Sequence, residues 1–87
     1  MNYSYYEFNL ELGDIVSVSI DHQANVILLD ETNYQNYRNG RQFRHFGGWS
    51  ERSPVNISAP STGHWYVVID LGRQSGTVRH SARVIKG

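Results

Sequence analysis

The sequence predicts an all-β protein, an antiparallel β-sandwich of jelly-roll character that forms a single domain over residues 1–87. Its dominant hydrophobic period is two residues, which is the period of a strand with one buried face. The chain also contains six Tyr, three Phe and two Trp, and aromatic side chains favour strands. Turn residues separate the apolar stretches at the spacing of roughly 8–12 residues that is typical of sandwiches and small barrels. About seven strands are therefore expected.

Five segments alternate apolar and polar residues, and each is a predicted strand. Their apolar positions are Tyr6, Phe8 and Leu10; Val16, Val18 and Ile20; Val55, Ile57 and Ala59; Trp65, Val67, Ile69 and Leu71; and Val78, His80, Ala82 and Val84. A sixth segment, residues 26–29, is apolar throughout, which predicts a strand covered on both faces. The expected core comprises Phe8, Leu10, Val16, Val18, Ile20, Val26, Leu28, Val55, Ile57, Trp65, Val67, Ile69, Val78 and Val84.

Neighbouring residues of a strand point to opposite faces of the sheet. Trp65 shares its face with Val67 and Ile69 and is therefore predicted to lie in the core. Tyr66 points the other way, where it could be exposed and form an aromatic platform with Trp49 for a protein or a sugar.

Glycine-containing turns connect these predicted strands. The pair Asn39-Gly40 is favoured in tight hairpins, and residues 72–76 read as a short hairpin bounded by glycines. Gly47 and Gly48 together permit a bend or a bulge.

Residues 30–40 break the two-residue period and have two interpretations. They could form a short helix near residues 31–38, with Asp30 or Thr32 capping its start and Gly40 ending it. They could instead form an irregular loop closed by the Asn39-Gly40 turn. The sequence leaves both open.

Charge is sorted along the chain. Residues 1–37 contain six acidic residues and no Lys or Arg, whereas residues 38–87 contain all eight Lys and Arg and two acidic residues. Such asymmetry can mark a binding surface. It can equally arise from two sets of strands that pair with each other, within one molecule or between two.

Composition excludes several classes of protein. The chain has no Cys, which excludes disulfide scaffolds, cysteine zinc sites and thiol catalysis. The first residues do not resemble a signal peptide, and the longest apolar run, residues 26–29, is too short to cross a bilayer. We therefore expect a cytoplasmic protein with no membrane partner. The pI of about 6.9 argues against duplex nucleic acid as a partner.

Three segments together resemble a known family: ANVILLD at Ala24–Asp30, NYQNYRNG at residues 33–40 and GHWYVVIDLG at residues 63–72, with RSPV at residues 52–55 between the last two. The family consists of small bacterial domains of unknown function, found alone or joined to TIR domains. The order of these segments is also similar to jelly-roll sandwich modules. The resemblance implies a recognition or sensor role linked to TIR-type signalling, and it implies no catalytic residues.

Residues 38–52 are the best functional candidate. Four Arg and one His are interleaved there with three aromatic residues, and Glu51 is the sole acidic residue. The guanidinium group suits phosphate or carboxylate, and exposed rings can stack on bases or sugars. The predicted binding residues are Arg38, Arg41, Arg44, Trp49 and Arg52. The alternative is that the aromatic rings pack in the core while the arginines are solvated or paired with acidic residues.

Catalytic, metal and cofactor sites are not predicted. None of the four histidines, His22, His45, His64 and His80, has the spacing of a metal pair. His80 falls on an apolar face and is expected to be partly buried and hydrogen-bonded. The group Asp30, Glu31 and Asn33 does not fit a calcium loop, so helix capping by Asp30 is favoured. No nucleophile elbow or phosphate loop is present.

The sequence thus favours a non-enzymatic module that binds a protein partner or acts as a sensor. A module for a small anionic ligand, a nucleotide or a saccharide at the same residues, is the second hypothesis, and an enzyme is the third. Convergence of several Arg side chains on a concave site would favour a ligand. Exposed apolar area beside the arginines would favour protein docking.

Overall fold

A computed structural model describes residues 3–72, 74 and 76–87. Within this part of the chain, seven strands and one helix follow one another. They are β1 (Tyr3–Leu10), β2 (Ile15–Ile20), β3 (Ala24–Asp30), α1 (Glu31–Arg38), β4 (Phe46–Ser50), β5 (Val55–Ser58), β6 (Gly63–Asp70) and β7 (His80–Ile85). Strands β1, β2, β5, β6 and β7 occur where the two-residue period predicts them, and β3 contains the apolar run, whereas no alternation predicted β4. The prediction of an antiparallel β-sandwich is confirmed.

The strands form a four-stranded sheet in the order β1-β6-β3-β4 and a three-stranded sheet in the order β5-β2-β7. Every pairing is antiparallel. The chain crosses between the sheets as it passes from β1 to β2 and from β2 to β3, and β6 returns to lie between β1 and β3. This is the jelly-roll character that the sequence predicts.

The core lies between the two sheets. It contains the inward-facing residues of the alternating strands, among them Val16, Val18, Val26 and Val67, all fully buried. The predicted core residues Phe8, Ile20, Val55, Val78 and Val84 are only partly buried, and they pack against the rim of this cluster. They lie near the ends or edges of the sheets, where the layers do not fully cover them.

A second apolar cluster covers the outer face of the four-stranded sheet. Helix α1 packs there with Tyr34 and Tyr37 against Ile27, Leu29 and Val68. Strand β3 is therefore covered on both faces, which confirms the interpretation of its uninterrupted apolar run.

The expectation that Tyr66 is exposed is wrong. Its side chain is 7% exposed, because the ring of Tyr34 stacks on it with centroids 3.9 Å apart and 5° between the planes. Tyr66 is therefore covered by α1 and forms no platform with Trp49.

The helix interpretation of residues 30–40 is correct. Oδ1 of Asp30 accepts a hydrogen bond from the backbone N–H of Asn33 at 2.8 Å, so Asp30, and not Thr32, caps the helix. Asn39 and Gly40 end α1, and Gly40 has φ +69°. The pair therefore follows a helix and is not the turn of a hairpin.

The predicted hairpin at residues 72–76 includes residues 73 and 75, which lie outside the described residues. The strands on either side of it, β6 and β7, belong to different sheets and do not pair with each other.

The last two described residues, Lys86 and Gly87, follow β7 and contact Asp14, which precedes β2. Nζ of Lys86 lies 2.8 Å from Oδ2 of the buried Asp14, and the backbone N–H groups of Glu11 and Gly87 also donate to this carboxylate. The hydrogen bond from Lys86 is the main reason that the pKa of Asp14 is lowered and that of Lys86 is raised.

Among the described residues, no helix is long and apolar enough to span a membrane.

Candidate functional site

Strand β4 is an edge of the four-stranded sheet and exposes two aromatic rings. Among the described strands, it pairs only with β3. Phe46 is 47% exposed and Trp49 is 44% exposed, whereas most large apolar side chains of the sheet are buried. Between them, Gly47 and Gly48 leave the backbone without side chains. The open side of β4 therefore combines accessible peptide groups with exposed apolar area.

Gly47 fixes the shape of this edge. Its φ is +89°, and a Cβ atom there would collide with the carbonyl oxygen of Val26 and would lie 2.9 Å from Cδ1 of Ile57. Glycine adopts this positive φ without strain, and it has no Cβ atom to collide with Val26 or Ile57. At Gly48, by contrast, a Cβ atom would meet nothing within 4 Å.

Basic side chains flank the exposed strand. Arg44 and His45 precede β4, and Arg52 follows it in the turn to β5. All three are exposed. We refer to Arg44, Phe46, Trp49 and Arg52 as the basic edge.

Arg44 is positioned by the start of α1. Its backbone N–H donates to Oδ1 of Asn33 at 2.8 Å, and the Asn33 side chain in turn donates to Asp30. Arg44 lines an open cleft of about 530 Å³ together with Asn33, Asn36, Gln42 and Phe43. The cleft is therefore walled by three amide groups, one guanidinium group and one aromatic ring.

Arg52 lies in a different cleft, together with Trp49. This second cleft, of about 420 Å³, is lined by Trp49, Ser50, Glu51, Arg52, Pro54 and Val55. The structure thus brings Trp49 and Arg52 together in one cleft and places Arg44 in another. The arginine heads do not converge on one small pocket.

The remaining predicted residues lie outside both clefts. Arg38 is the last residue of α1, and its guanidinium carbon lies 5.8 Å from the centroid of the Tyr34 ring, within the range of a cation–π contact. Arg41 is exposed in the loop after the helix, and its backbone N–H donates to the carbonyl of Asn36.

The described arginines of residues 38–87 form no ion pair with the acidic residues of the N-terminal part of the chain. Within residues 3–72, 74 and 76–87, the ion pairs join His22 to Asp21, His64 to Glu7, and Lys86 to both Glu11 and Asp14. No arginine of the described chain takes part in one. The charge of residues 38–52, four Arg against one Glu, therefore faces solvent.

Buried polar groups between α1 and the four-stranded sheet form hydrogen bonds with one another. The hydroxyl of Tyr37 donates to Oδ2 of Asp70 at 2.7 Å, and burial together with this carboxylate raises the pKa of Tyr37. Burial, with the hydroxyl of Tyr3 3.0 Å away, also raises the pKa of Tyr34. These tyrosines join the helix to the sheet and do not line the clefts.

The histidines are placed as local hydrogen-bonding groups. Nδ1 of His80 lies 2.7 Å from the hydroxyl of Tyr6, so the expectation of a partly buried, hydrogen-bonded His80 is confirmed. No group of three or more His, Asp or Glu residues in the described part of the chain is arranged to hold a metal ion.

Sequence reasoning missed the amide groups of the larger cleft. Asn33 and Asn36 are three residues apart on α1, and this spacing places them on one face of a helix. The spacing is visible in the sequence, but it places the two side chains on one face only if residues 31–38 are helical, which the sequence leaves open. Phe46 was also missed as a surface residue, because strand alternation assigned no face to this segment.

Strand order, helix position and an exposed basic edge define a small β-sandwich domain with one helix packed on its outer face. The family described as Domain of unknown function (DUF1883) matches residues 1–87, and the chain belongs to this family. Searches of curated proteins and of solved structures gave no match.

Proposed function

We propose that this domain is a non-enzymatic protein-binding module and that its partner docks on the basic edge as an extended, acidic segment. The observation that carries the proposal is the exposure of Phe46 and Trp49 on an edge strand. Addition of a strand to a free sheet edge is a recurrent mode of peptide recognition. Backbone groups supply affinity in this mode, and side chains beside the edge supply selectivity.

Charge defines the kind of partner. Arg44 and Arg52 stand at the two ends of β4, and arginine forms bidentate hydrogen bonds with carboxylates. A partner strand with Glu or Asp near its ends and apolar side chains between them would match this order. Electrostatic complementarity of this type mainly raises the association rate and the selectivity.

The proposed setting follows from the resemblance of the sequence to bacterial domains found alone or joined to TIR domains. We propose that the module acts in the cytoplasm as a recognition or sensor element for a protein of TIR-type signalling. This part of the proposal concerns the identity of the partner, whereas the basic edge concerns how the partner is bound.

Chemical-shift mapping by NMR tests the mode of binding. The probe is an extended peptide that alternates Glu with Val, and the matched probe replaces Glu with Lys. We expect shifts at β4, Arg44 and Arg52 with the acidic peptide alone. Reversal of both charges in Arg44→Glu/Arg52→Glu should weaken binding by about tenfold.

Arg79→Glu/Arg83→Glu is the matched control, because it makes the same change of net charge and both arginines are exposed, in β7 of the other sheet or directly before it. If this variant weakens binding equally, only net charge is being sensed and the docking proposal fails. Shifts that do not cluster within residues 38–52 would contradict it as well.

A small-ligand module is the second candidate, and the cleft at Asn33, Asn36 and Arg44 favours it. Amide and guanidinium groups can donate to the hydroxyls of a saccharide or to a nucleotide phosphate, and Phe43 offers a ring for stacking. Titration with a panel of nucleotides and oligosaccharides separates the two candidates. A ligand would shift Asn33 and Asn36, whereas a docked strand would shift Trp49 and its neighbours on β4.

A further inference from the structure

Edge strands usually carry features that prevent pairing with another chain, such as Lys, Pro or a charge within the strand. The two edges of the three-stranded sheet have them, since Arg83 lies within β7 and Pro54 immediately precedes β5. Of the edges of the four-stranded sheet, β4 contains no charged residue and no Pro, and β1 contains one charged residue, Glu7, and neither Lys nor Pro. Strand β4 is therefore an open edge, and the single charge on β1 is an acid that suits pairing beside basic residues.

The residues in and around these two edges differ in charge. Residues 3–14 contain three acidic residues and no Lys or Arg, whereas residues 38–52 contain four Arg and one Glu. In the folded chain Lys86 neutralises Asp14 and contacts Glu11, and Glu7 pairs with His64 at 41–46% side-chain exposure. Glu7, in an exposed pair with His64, is therefore the acid that β1 presents, whereas Arg44 and Arg52 flank β4 at the other edge.

On the face of the four-stranded sheet that α1 covers, residues paired across neighbouring strands form rows that run from β1 to β4. One row crosses the sheet from Tyr3 through Asp70 and Asn25 to Trp49. The next row crosses from Tyr5 through Val68 and Ile27 to Gly47. Tyr5 is 49% exposed, so each open edge presents a half-exposed ring on the same face.

Because the number of strands is even, β1 and β4 run in opposite directions and can pair antiparallel between two copies. The sheet has four strands, and each neighbouring pair is antiparallel. A second copy displaced along the sheet therefore places its β1 antiparallel to β4 of the first. Continued rows would bring Tyr3 of one copy beside Trp49 of the other, and Tyr5 over Gly47, where no side chain obstructs it. Glu7 would then lie on the side of the sheet where Arg44 and His45 precede β4.

We propose that the acidic segment bound by the basic edge is β1 of a second copy of this chain, so that copies associate head to tail into a continuous sheet. This inference rests on the proposed function, because it names a partner for the same surface. The contact is heterologous, so it leaves one open edge at each end and allows further copies to add. A strand pairing of this length is smaller than a standard stable interface, so association is expected to depend on concentration.

The test is a complementation experiment with two variants at exposed positions. Trp49→Lys blocks the basic edge, Tyr5→Lys blocks β1, and Leu12→Lys, at a position 68% exposed between β1 and β2, is the matched control. Sedimentation velocity of the full chain at low salt would be measured from about 10 μM to 1 mM, a range that detects weak association.

Wild type and Leu12→Lys should rise in average mass above 10.0 kDa as concentration rises, and high salt should reduce the increase. Each blocked variant alone should stay monomeric. An equimolar mixture of Trp49→Lys and Tyr5→Lys should form a discrete complex of twice the monomer mass, because one variant keeps β1 and the other keeps β4. Circular dichroism of both variants would verify the fold.

Three results would overturn the inference: a wild-type protein that remains monomeric at the highest concentration, a mixture that forms no complex, or a Tyr5→Lys variant that still self-associates through two copies of β4. The proposed function is tested separately, because Tyr5 is outside the basic edge. If Tyr5→Lys still binds the acidic peptide and Trp49→Lys does not, the docking surface stands whatever the state of association.

Discussion

The hydroxyl of Tyr37 on α1 donates a 2.7 Å hydrogen bond to Oδ2 of Asp70, the last residue of β6. Both side chains are buried. Asp70 also accepts a hydrogen bond from the backbone N–H of Gly72 at 2.9 Å. The pair therefore fastens the helix to the sheet at the point where the chain leaves β6.

Removal of the Tyr37 hydroxyl should destabilise the fold. Tyr37→Phe leaves the buried Asp70 carboxylate with one donor fewer, and a hydrogen bond to a charged group contributes about 1.5–3 kcal/mol. Urea unfolding at neutral pH would measure the loss. Tyr3→Phe is the control, since it breaks a neutral, partly buried bond to Tyr34 and should cost less. An equal cost for both variants would contradict this account.

Alkaline pH should unfold the protein through its tyrosines. The Glu31 carboxylate, together with burial, raises the pKa of Tyr66 from 10.0 to about 12, and the pKa values of Tyr34 and Tyr37 are raised too. Below pH 10 these groups are protonated in both states, so their full contribution to stability is present. Between pH 10 and about 12 the unfolded chain ionises first, so the free energy of unfolding falls as pH rises.

Urea midpoints from neutral pH to pH 12, with tyrosinate absorbance measured in parallel, would follow this loss. Tyr66→Phe should show a shallower decline, because one of the shifted groups is gone. A wild-type protein whose stability is constant over this range would refute the prediction.

The start of α1 depends on Asp30. Its carboxylate accepts from the backbone N–H of Asn33, and loss of such a cap costs about 1 kcal/mol. Asp30→Ala should therefore lower the free energy of unfolding by about that amount in chemical denaturation. Thr32→Ala tests the other cap that the sequence allowed and should have little effect; a larger effect at Thr32 would reverse the assignment.

The two glycines of β4 should respond differently to alanine. Gly47→Ala imposes an unfavourable φ of +89° and a collision with the backbone of Val26, so we expect a loss of at least about 2 kcal/mol. Gly48→Ala meets open space and should change stability by less than about 0.5 kcal/mol. Thermal unfolding of the two variants provides the comparison, and similar melting temperatures would contradict it.

The sequence predicted most of the fold because strand alternation reports burial directly. Val16, Val18 and Val67 point inward, as their period required. Tyr66 was placed wrongly because alternation identifies the opposite face of a strand but not what covers that face. Only the position of α1 shows that a helix covers it.

The candidate site was predicted in part. Trp49 and Arg52 share one cleft, but Arg44 lies in another, because α1 fixes it through Asn33. Such a contact joins residues eleven positions apart through a loop, and loops carry no periodic signal from which their path could be inferred.

Most strands of this protein find their partners late in synthesis. Of the strands that the structure describes, β1 pairs only with β6, which begins at Gly63, and β2 pairs with β5 and β7. A nascent chain emerging from the ribosome therefore cannot complete either sheet until its C-terminal third is available, and long loops must close before these pairs form. Throughout most of translation the tyrosine-rich first strand lacks its partner, and this makes it the segment for which we expect chaperone protection to matter most.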